Sequence, residues 1–378
     1  MRTQLGALLT LLLVAAAVVV GVLVGGATIL SQPSPVPTRS LVVAPSRSPV
    51  PTETLAPDAL HVFSVGAIPP DSRFVVVGDP GDERLLLLDL VGKKVTLAAH
   101  FEGKGAFANL RVLEITSTAS SELFVIHLRA DGPDARLYFI RPVTGEVRSF
   151  LTPKSESVRL SPDGGTIAVS RNSDDPDQKG LWLLNTLDGT GRRLTADLGR
   201  RATRAVQWSA DGKRLSALLD SLDFGRELVV FDLAGNLSPS IAPASDARWR
   251  GSDLLFWNAN GPGPVGIYTG TPTTGLAYPA ASGIIIDRAE VRPRSSDLAV
   301  RERSATMIGR LIVYDSGAGA STVVMADAQR VIGFWWSSDA SRLYAWSIDN
   351  ETTTVRDVLN DQTAVTFCFR VKIAPPCG

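Results

Sequence analysis

Three segments of this chain, SPDGGTIAVSR from Ser161, SADGKRLSALLD from Ser209 and SSDASRLYAWS from Ser337, are copies of one another. Each sets a tight turn in front of a short apolar strand. The Asp side chain can bond to the turn backbone, and glycine at the following positions accepts positive φ. A second strand follows after a polar loop, as GLWLLNT from Gly180 and ELVVFDL from Glu227. Related strands read RLLLLDL from Arg84, RLYFIRP from Arg136, GIYTGTP from Gly266 and RLIVYDS from Arg310. One apolar position used as a marker falls at Val75, Leu123, Ile167, Leu215, Leu254, Leu298 and Leu343, with spacings of 48, 44, 48, 39, 44 and 45.

A period near 45 residues filled by about four strands predicts an all-β, seven-bladed β-propeller over residues 58–378. Helical solenoids can share that period, but beyond residue 58 no apolar pattern of period 3.6 is sustained. The second and fifth units are degenerate, so six or eight blades stay open alternatives. The S-P-D-G-x-x-I-A-V strand, the x-L-W-L-L-N-T strand and the D-G-T-G-R-R-L-T close at residues 188–195 resemble the repeat of TolB-type, WD40-like propellers. That resemblance implies the fold. The same blade occurs in binding proteins, in translocation accessories and beside peptidase domains.

From Leu5 to Leu30 there is no charged residue, and Leu, Val and Ala dominate. About 20 apolar residues cross a ~30 Å hydrocarbon core, so residues 1–30 are expected to form a transmembrane signal anchor. A cleaved signal peptide is the competing reading, with Gly25, Gly26 and Ala27 as small residues near a cut. Arg2 precedes the segment, and no Lys or Arg follows until Arg39, which places the remainder on the extracytoplasmic side of the cell membrane. Residues 31–57 hold seven prolines and eight Ser or Thr. Such a linker stays extended, either as a stalk or as a passive tether.

Cys368 and Cys377 are the only cysteines, and in an oxidising compartment a disulfide between them would staple the C-terminal tail. Lys plus Arg equals Asp plus Glu, at 38 each; without residues 1–57, 35 basic residues face 37 acidic ones. A nucleic-acid partner is therefore not expected, because such domains carry a strongly basic face. No cofactor is expected. The G-x-G-x-x-G at Gly261, Gly263 and Gly266 is interrupted by Pro262 and Pro264, which lack the amides that would cradle a phosphate.

Candidate site residues are few. The three histidines, His61, His100 and His127, all lie in the first two units, and no G-x-S-x-G elbow occurs. Asp174, Asp175 and Asp177 share a polar loop with Asn172 and offer clustered oxygens to a hard cation, against the reading of an ordinary acidic turn. Two arginine clusters stand out. Arg192, Arg193, Arg200, Arg201 and Arg204 form the first, and Arg288, Arg292, Arg294, Arg301 and Arg303 the second. Guanidiniums suit carboxylate, sulfate or phosphate, so either patch could hold an acidic envelope polymer. The alternative is surface charge paired with Asp197, Glu290 and Glu302. Trp208, Trp249 and Trp336 occupy one repeat position and are expected in the core. Trp335 should face the opposite way from Trp336, leaving one of that pair exposed.

The chain is expected to act as a non-catalytic binding or scaffold module for an envelope protein or acidic polymer, anchored to the membrane. The alternative is a glycosidase or lyase on the same scaffold. It would require paired carboxylates, or a His or Tyr base, in the central channel.

Overall fold

The computed structural model describes residues 60–79, 82–102, 111–117, 123–129, 134–153, 155–171, 173–195, 203–221, 225–239, 244–258, 266–269, 275–281, 283–304, 309–349 and 352–368. The expected anchor, the linker and Cys377 lie outside them. Every regular element among the described residues is a strand, and the strands form seven antiparallel sheets.

Blade 1 holds β1 (Leu60–Val62), β2 (Arg73–Asp79), β3 (Asp82–Asp89) and β4 (Lys94–Glu102). Blade 2 holds β5 (Arg111–Ser117), β6 (Phe124–Arg129), β7 (Asp134–Arg141) and β8 (Glu146–Pro153). Blade 3 holds β9 (Ser155–Leu160), β10 (Thr166–Arg171), β11 (Gly180–Asn185) and β12 (Gly191–Thr195). Blade 4 shows β13 (Thr203–Trp208), β14 (Arg214–Ser221) and β15 (Gly225–Asp232), with a single further bridge between Phe231 and Leu237. Blade 5 comprises β16 (Asp246–Arg250), β17 (Asp253–Asn258), β18 (Gly266–Thr269) and β19 (Leu276–Pro279). Blade 6 comprises β20 (Ile284–Val291), β21 (Leu298–Ser304), β22 (Gly309–Asp315) and β23 (Ala320–Met325). Blade 7 comprises β24 (Val331–Trp336), β25 (Leu343–Asp349), β26 (Thr352–Asp357) and β27 (Gln362–Cys368). The fold is a seven-bladed propeller. The two degenerate units, blades 2 and 5, are complete four-stranded sheets.

The core lies in the seams between blades, which is why the strands read as apolar runs. Leu85 and Leu88 of β3 face opposite ways and are both fully buried, one against blade 2 and the other against blade 7. Each of the seven seams holds its own apolar cluster. No strand is shared between the first and last blades. Their seam closes by packing Val75 and Val77 against Trp335, Val365 and Phe367. The Ser338 amide and hydroxyl also donate to Asp71 Oδ1 at 2.9 and 2.7 Å.

The repeated turn is built identically in three blades. Ser161, Ser209 and Ser337 each donate from Oγ to the Asp two residues on, at 2.5, 2.6 and 2.6 Å. The same Oγ accepts the amide of Thr166, Arg214 or Arg342, which opens the next strand. Gly164 and Gly212 take φ of 74° and 67° at the turn, and Ala340 is held at 64° in the third copy. Hydrogen bonds to the charged form hold Asp163 and Asp211 below the usual carboxylate range and lower Asp339 to about 2, its Ser337 hydroxyl contributing most. A depressed carboxyl stabilises the fold above its unfolded value, ~3.9, and that contribution disappears as pH falls through the folded value. Acid titration of thermal stability should therefore show a loss between about pH 4 and pH 2. The loss should be shallower in the triple variant Asp163→Asn, Asp211→Asn, Asp339→Asn.

The tryptophans at the shared repeat position form a latch. Trp208, Trp249 and Trp336 lie at the ends of the first strands of blades 4, 5 and 7; Trp336 is buried as expected, whereas Trp208 and Trp249 are only partly buried. The three indole N–H groups donate to the carbonyls of Arg159, Gln207 and Glu290 at 2.9, 3.4 and 3.3 Å, each in the preceding blade. Trp335 and Trp336 do face opposite seams, but both are buried. In a propeller both faces of a blade are covered, so a strand here has no solvent side for the second indole.

Candidate site in the central channel

Six first strands, β5, β9, β13, β16, β20 and β24, stand at the inner ends of their sheets, each beside its neighbours around the channel. The residue just before the latch position pairs with equivalent places on the second strands, as Arg159 with Ala168, Gln207 with Ser216, Arg248 with Leu255 and Glu290 with Ala299. A strand repeats its facing every two residues, so Asp246 shares a side with Arg248, and Arg288 with Glu290. In blades 3 to 6 these positions are polar and stand on the innermost strand, whereas in blade 7 the same position is Trp335, packed in the seam against blade 1.

The side chains meet across blades. Arg248 Nη1 lies 3.2 Å from Asp246 Oδ1 and its Nε 3.7 Å from Glu290 Oε1. Arg288 donates to the same Glu290 oxygen from Nε at 2.9 Å and Nη2 at 2.7 Å. Arg73, from β2, stacks its guanidinium 4.8 Å from the centre of the Trp335 ring. Burial lowers Arg73, with Arg288 adding repulsion and Glu290 opposing it. Arg159 is pushed down to about 10, first by burial and then by the neighbouring Arg248. Both remain charged at neutral pH. Arg73 is an exposed side chain whose guanidinium lies against the Trp335 ring. Arg73, Arg159, Arg248 and Arg288 thus gather near Asp246 and Glu290.

The arginines continue onto the face carrying the repeated turns. Arg250 lies two residues beyond Arg248, and Arg292 two beyond Glu290. They border a cleft of about 640 Å³ between blades 5 and 6, with Trp249, Gly251 and Arg294. Arg292 is steadied by Asp297 at 3.3 Å, by the Ala340 carbonyl at 3.1 Å and by the Trp336 ring at 5.1 Å.

Of the first arginine cluster, Arg192 and Arg193 lie on the outer strand β12 and donate to the carbonyls of Leu233 and Pro176. Arg200 and Arg201 fall outside the described residues, and only the backbone of Arg204 is described, in β13. The second cluster divides. Arg288, Arg292 and Arg294 reach the channel and cleft, whereas Arg301 and Arg303 approach Asp287 at 3.9 and 2.8 Å. Asp175 caps its own turn by accepting the Asp177 amide at 2.9 Å, and Asp174 and Asp177 are exposed on the same loop. Among the described residues no three His, Cys, Asp or Glu are grouped to hold a metal ion. Cys368 ends β27. His61 and His100 sit at the outer edge of blade 1, where His100 Nε2 lies 2.6 Å from Asp82 Oδ1; the side chain of His127 is not among those described. Arg73, Arg159, Arg248 and Asp246 carry no motif of their own. Aligning the units on their tryptophans and reading the preceding residue finds Arg248, and counting two residues back from the turn serine Ser161 finds Arg159.

No protein-family model matches this sequence, and no curated protein is significantly similar to it. Solved structures do share the fold. A prolyl endopeptidase superposes with a TM-score of 0.60 at 9% identity, over 81% of this chain and 49% of its own. This chain thus spans about half the length of that enzyme. An oligogalacturonate lyase in complex with manganese superposes with a TM-score of 0.54 at 12% identity, over 80% of this chain and 85% of its own. Oligopeptidase B from Leishmania major gives 0.51 at 12% identity, over 83% and 49%. At such identities the similarity speaks for the propeller alone.

Proposed function

We propose that this chain is a membrane-anchored, extracytoplasmic propeller of the TolB type that binds an acidic envelope partner, a protein or a polymer, through its channel arginines. One observation carries this reading: Arg73, Arg159, Arg248 and Arg288 gather from four strands around Asp246 and Glu290. Guanidiniums pair bidentately with carboxylate, sulfate or phosphate, and partial desolvation strengthens each such pair. A rigid ring of inner strands holds them without a folding cost on binding. The Pro-rich segment would hold the propeller away from the bilayer.

The test is calorimetry of the full chain in detergent with polygalacturonate and with poly-L-glutamate. The double variant Arg73→Gln, Arg159→Gln should bind at least ~10-fold more weakly, a loss of about 1.4 kcal/mol, and the wild-type affinity should fall with added salt. Arg192→Gln, Arg193→Gln should bind as wild type. Equal affinity in the channel variant would sink the reading.

A second reading, an envelope polysaccharide-active glycosidase or lyase, is favoured only by Asp246 and Glu290, two channel carboxylates both contacting Arg248. Each is already engaged by arginine, which is why binding is preferred. Release of fragments from acidic polysaccharide, abolished by Glu290→Gln, would reverse that preference.

A further inference from the structure

In blades 2 to 7 the first strand is followed by a second strand that pairs with it antiparallel. Blade 1 does otherwise. Its turn at Pro70–Ser72 leads into β2, and β2 matches the second strands in two independent ways. Phe74 packs on Phe124 of the second strand β6, ring centres 3.9 Å apart, and the two-strands-later β4 lies beside the outermost strand β27. The sheet order is β1-β4-β3-β2, so the fourth place is taken by β1 on the outer side. The residues that should form the first strand are led away. Phe63 N–H donates to Ala98 O at 2.9 Å and Val65 N–H to Pro142 O at 3.0 Å, while Ser64 Oγ donates to Val143 O at 2.7 Å. Among the described residues β2 therefore pairs with β3 alone, and its other edge borders the channel where six other blades place a strand.

An open edge of alternating N–H and C=O groups is a template for another strand. We propose that this edge receives an extended peptide of a protein partner, antiparallel to β2, with a carboxylate near its C-terminal end beside Arg73. This deepens the acidic-partner reading and rests on it. The six existing first strands run five to eight residues, which sets the length. An antiparallel strand ends where β2 begins, at Arg73, and there the guanidiniums of Arg73 and Arg288 outnumber the Glu290 carboxylate. A polysaccharide could answer the charge but not the regular row of backbone groups, which is why the occupant is a peptide.

The probe is a nine-residue peptide of alternating threonine and valine ending in two aspartates, titrated into the full chain. N-methylating one alternate set of its amides should weaken binding at least ~10-fold, and methylating the other set should change it less than ~2-fold, because only one set can face β2. Arg73→Gln should weaken the aspartate peptide ~10-fold and leave an asparagine-ended version unchanged. Equal effects of the two methylated sets, or no binding of the peptide, would overturn strand addition. If polygalacturonate still bound in an arginine-dependent way, only this proposal would fail; if it did not, the acidic-partner reading would fail with it.

Discussion

Replacing Arg310 with methionine should destabilise the propeller by about 3 kcal/mol, toward the lower end of what breaking a buried ion pair costs. Glu302 on β21 is fully buried, and its carboxylate is held by Arg310 from the neighbouring strand, Nε and Nη2 both at 2.8 Å from Oε2. The Tyr278 hydroxyl of blade 5 donates to the other oxygen. Burial and the adjacent carboxylate push that phenol well above its ordinary range. Without the guanidinium, Glu302 keeps its burial and loses its counter-charge. Arg310 is 43% exposed, so water replaces part of what it supplied and keeps the loss from being larger. Urea unfolding at pH 7 checks the account, through a lower midpoint with unchanged slope. A loss of less than about 1 kcal/mol at pH 7 would contradict the account. The double variant Arg310→Met, Glu302→Leu should recover part of the loss.

Trp336→Ala should cost about 3–5 kcal/mol, the usual range for emptying a buried indole site. Trp336 packs with Leu311, Phe334 and Leu343 in the seam between blades 6 and 7. Trp336→Phe separates volume from hydrogen bonding. It keeps much of the apolar contact but leaves the Glu290 carbonyl without its indole donor, for a loss of about 1–2 kcal/mol. Because that carbonyl belongs to a channel residue, the phenylalanine variant should also weaken polyanion binding, whereas Leu311→Val in the same seam should not. Equal binding by the two variants would mean that the latch serves stability alone.

How much of this was legible in advance depends on what each residue answers to. The turn residues Ser161, Asp163 and Gly164 answer to their own backbone. They bond within five residues of themselves, so the repeat could be recognised from local chemistry and its period counted. Trp208, Trp249 and Trp336 share one place in the unit, which predicted burial for all three; Trp336 is buried, while Trp208 and Trp249 are only partly so. The targets of their indole donors were not legible, because each acceptor lies 42 to 49 residues away in the preceding blade. Arg192 and Arg193 were conspicuous as a run in the chain, yet they reach two carbonyls in turns, those of Leu233 and Pro176. Arg73 and Arg159 were inconspicuous, each a single basic residue in its own strand.

The amino-acid order alone therefore determined the all-β class and the 45-residue period, since these rest on contacts within one unit, while the seven sheets of the structure fixed the blade count that the degenerate second and fifth units had left open. The order also set which residues turn the chain. The tertiary structure decided what the units do together. It gathered arginines from blades 1, 3, 5 and 6 into one channel, and among the described residues it pairs the innermost strand of blade 1 with β3 alone, the residues before its turn running outward instead. Both depend on ring closure, which places side chains more than 200 residues apart within a few ångströms, as with Asp71 and Ser338. No local period in a chain records which of its distant positions will share a centre.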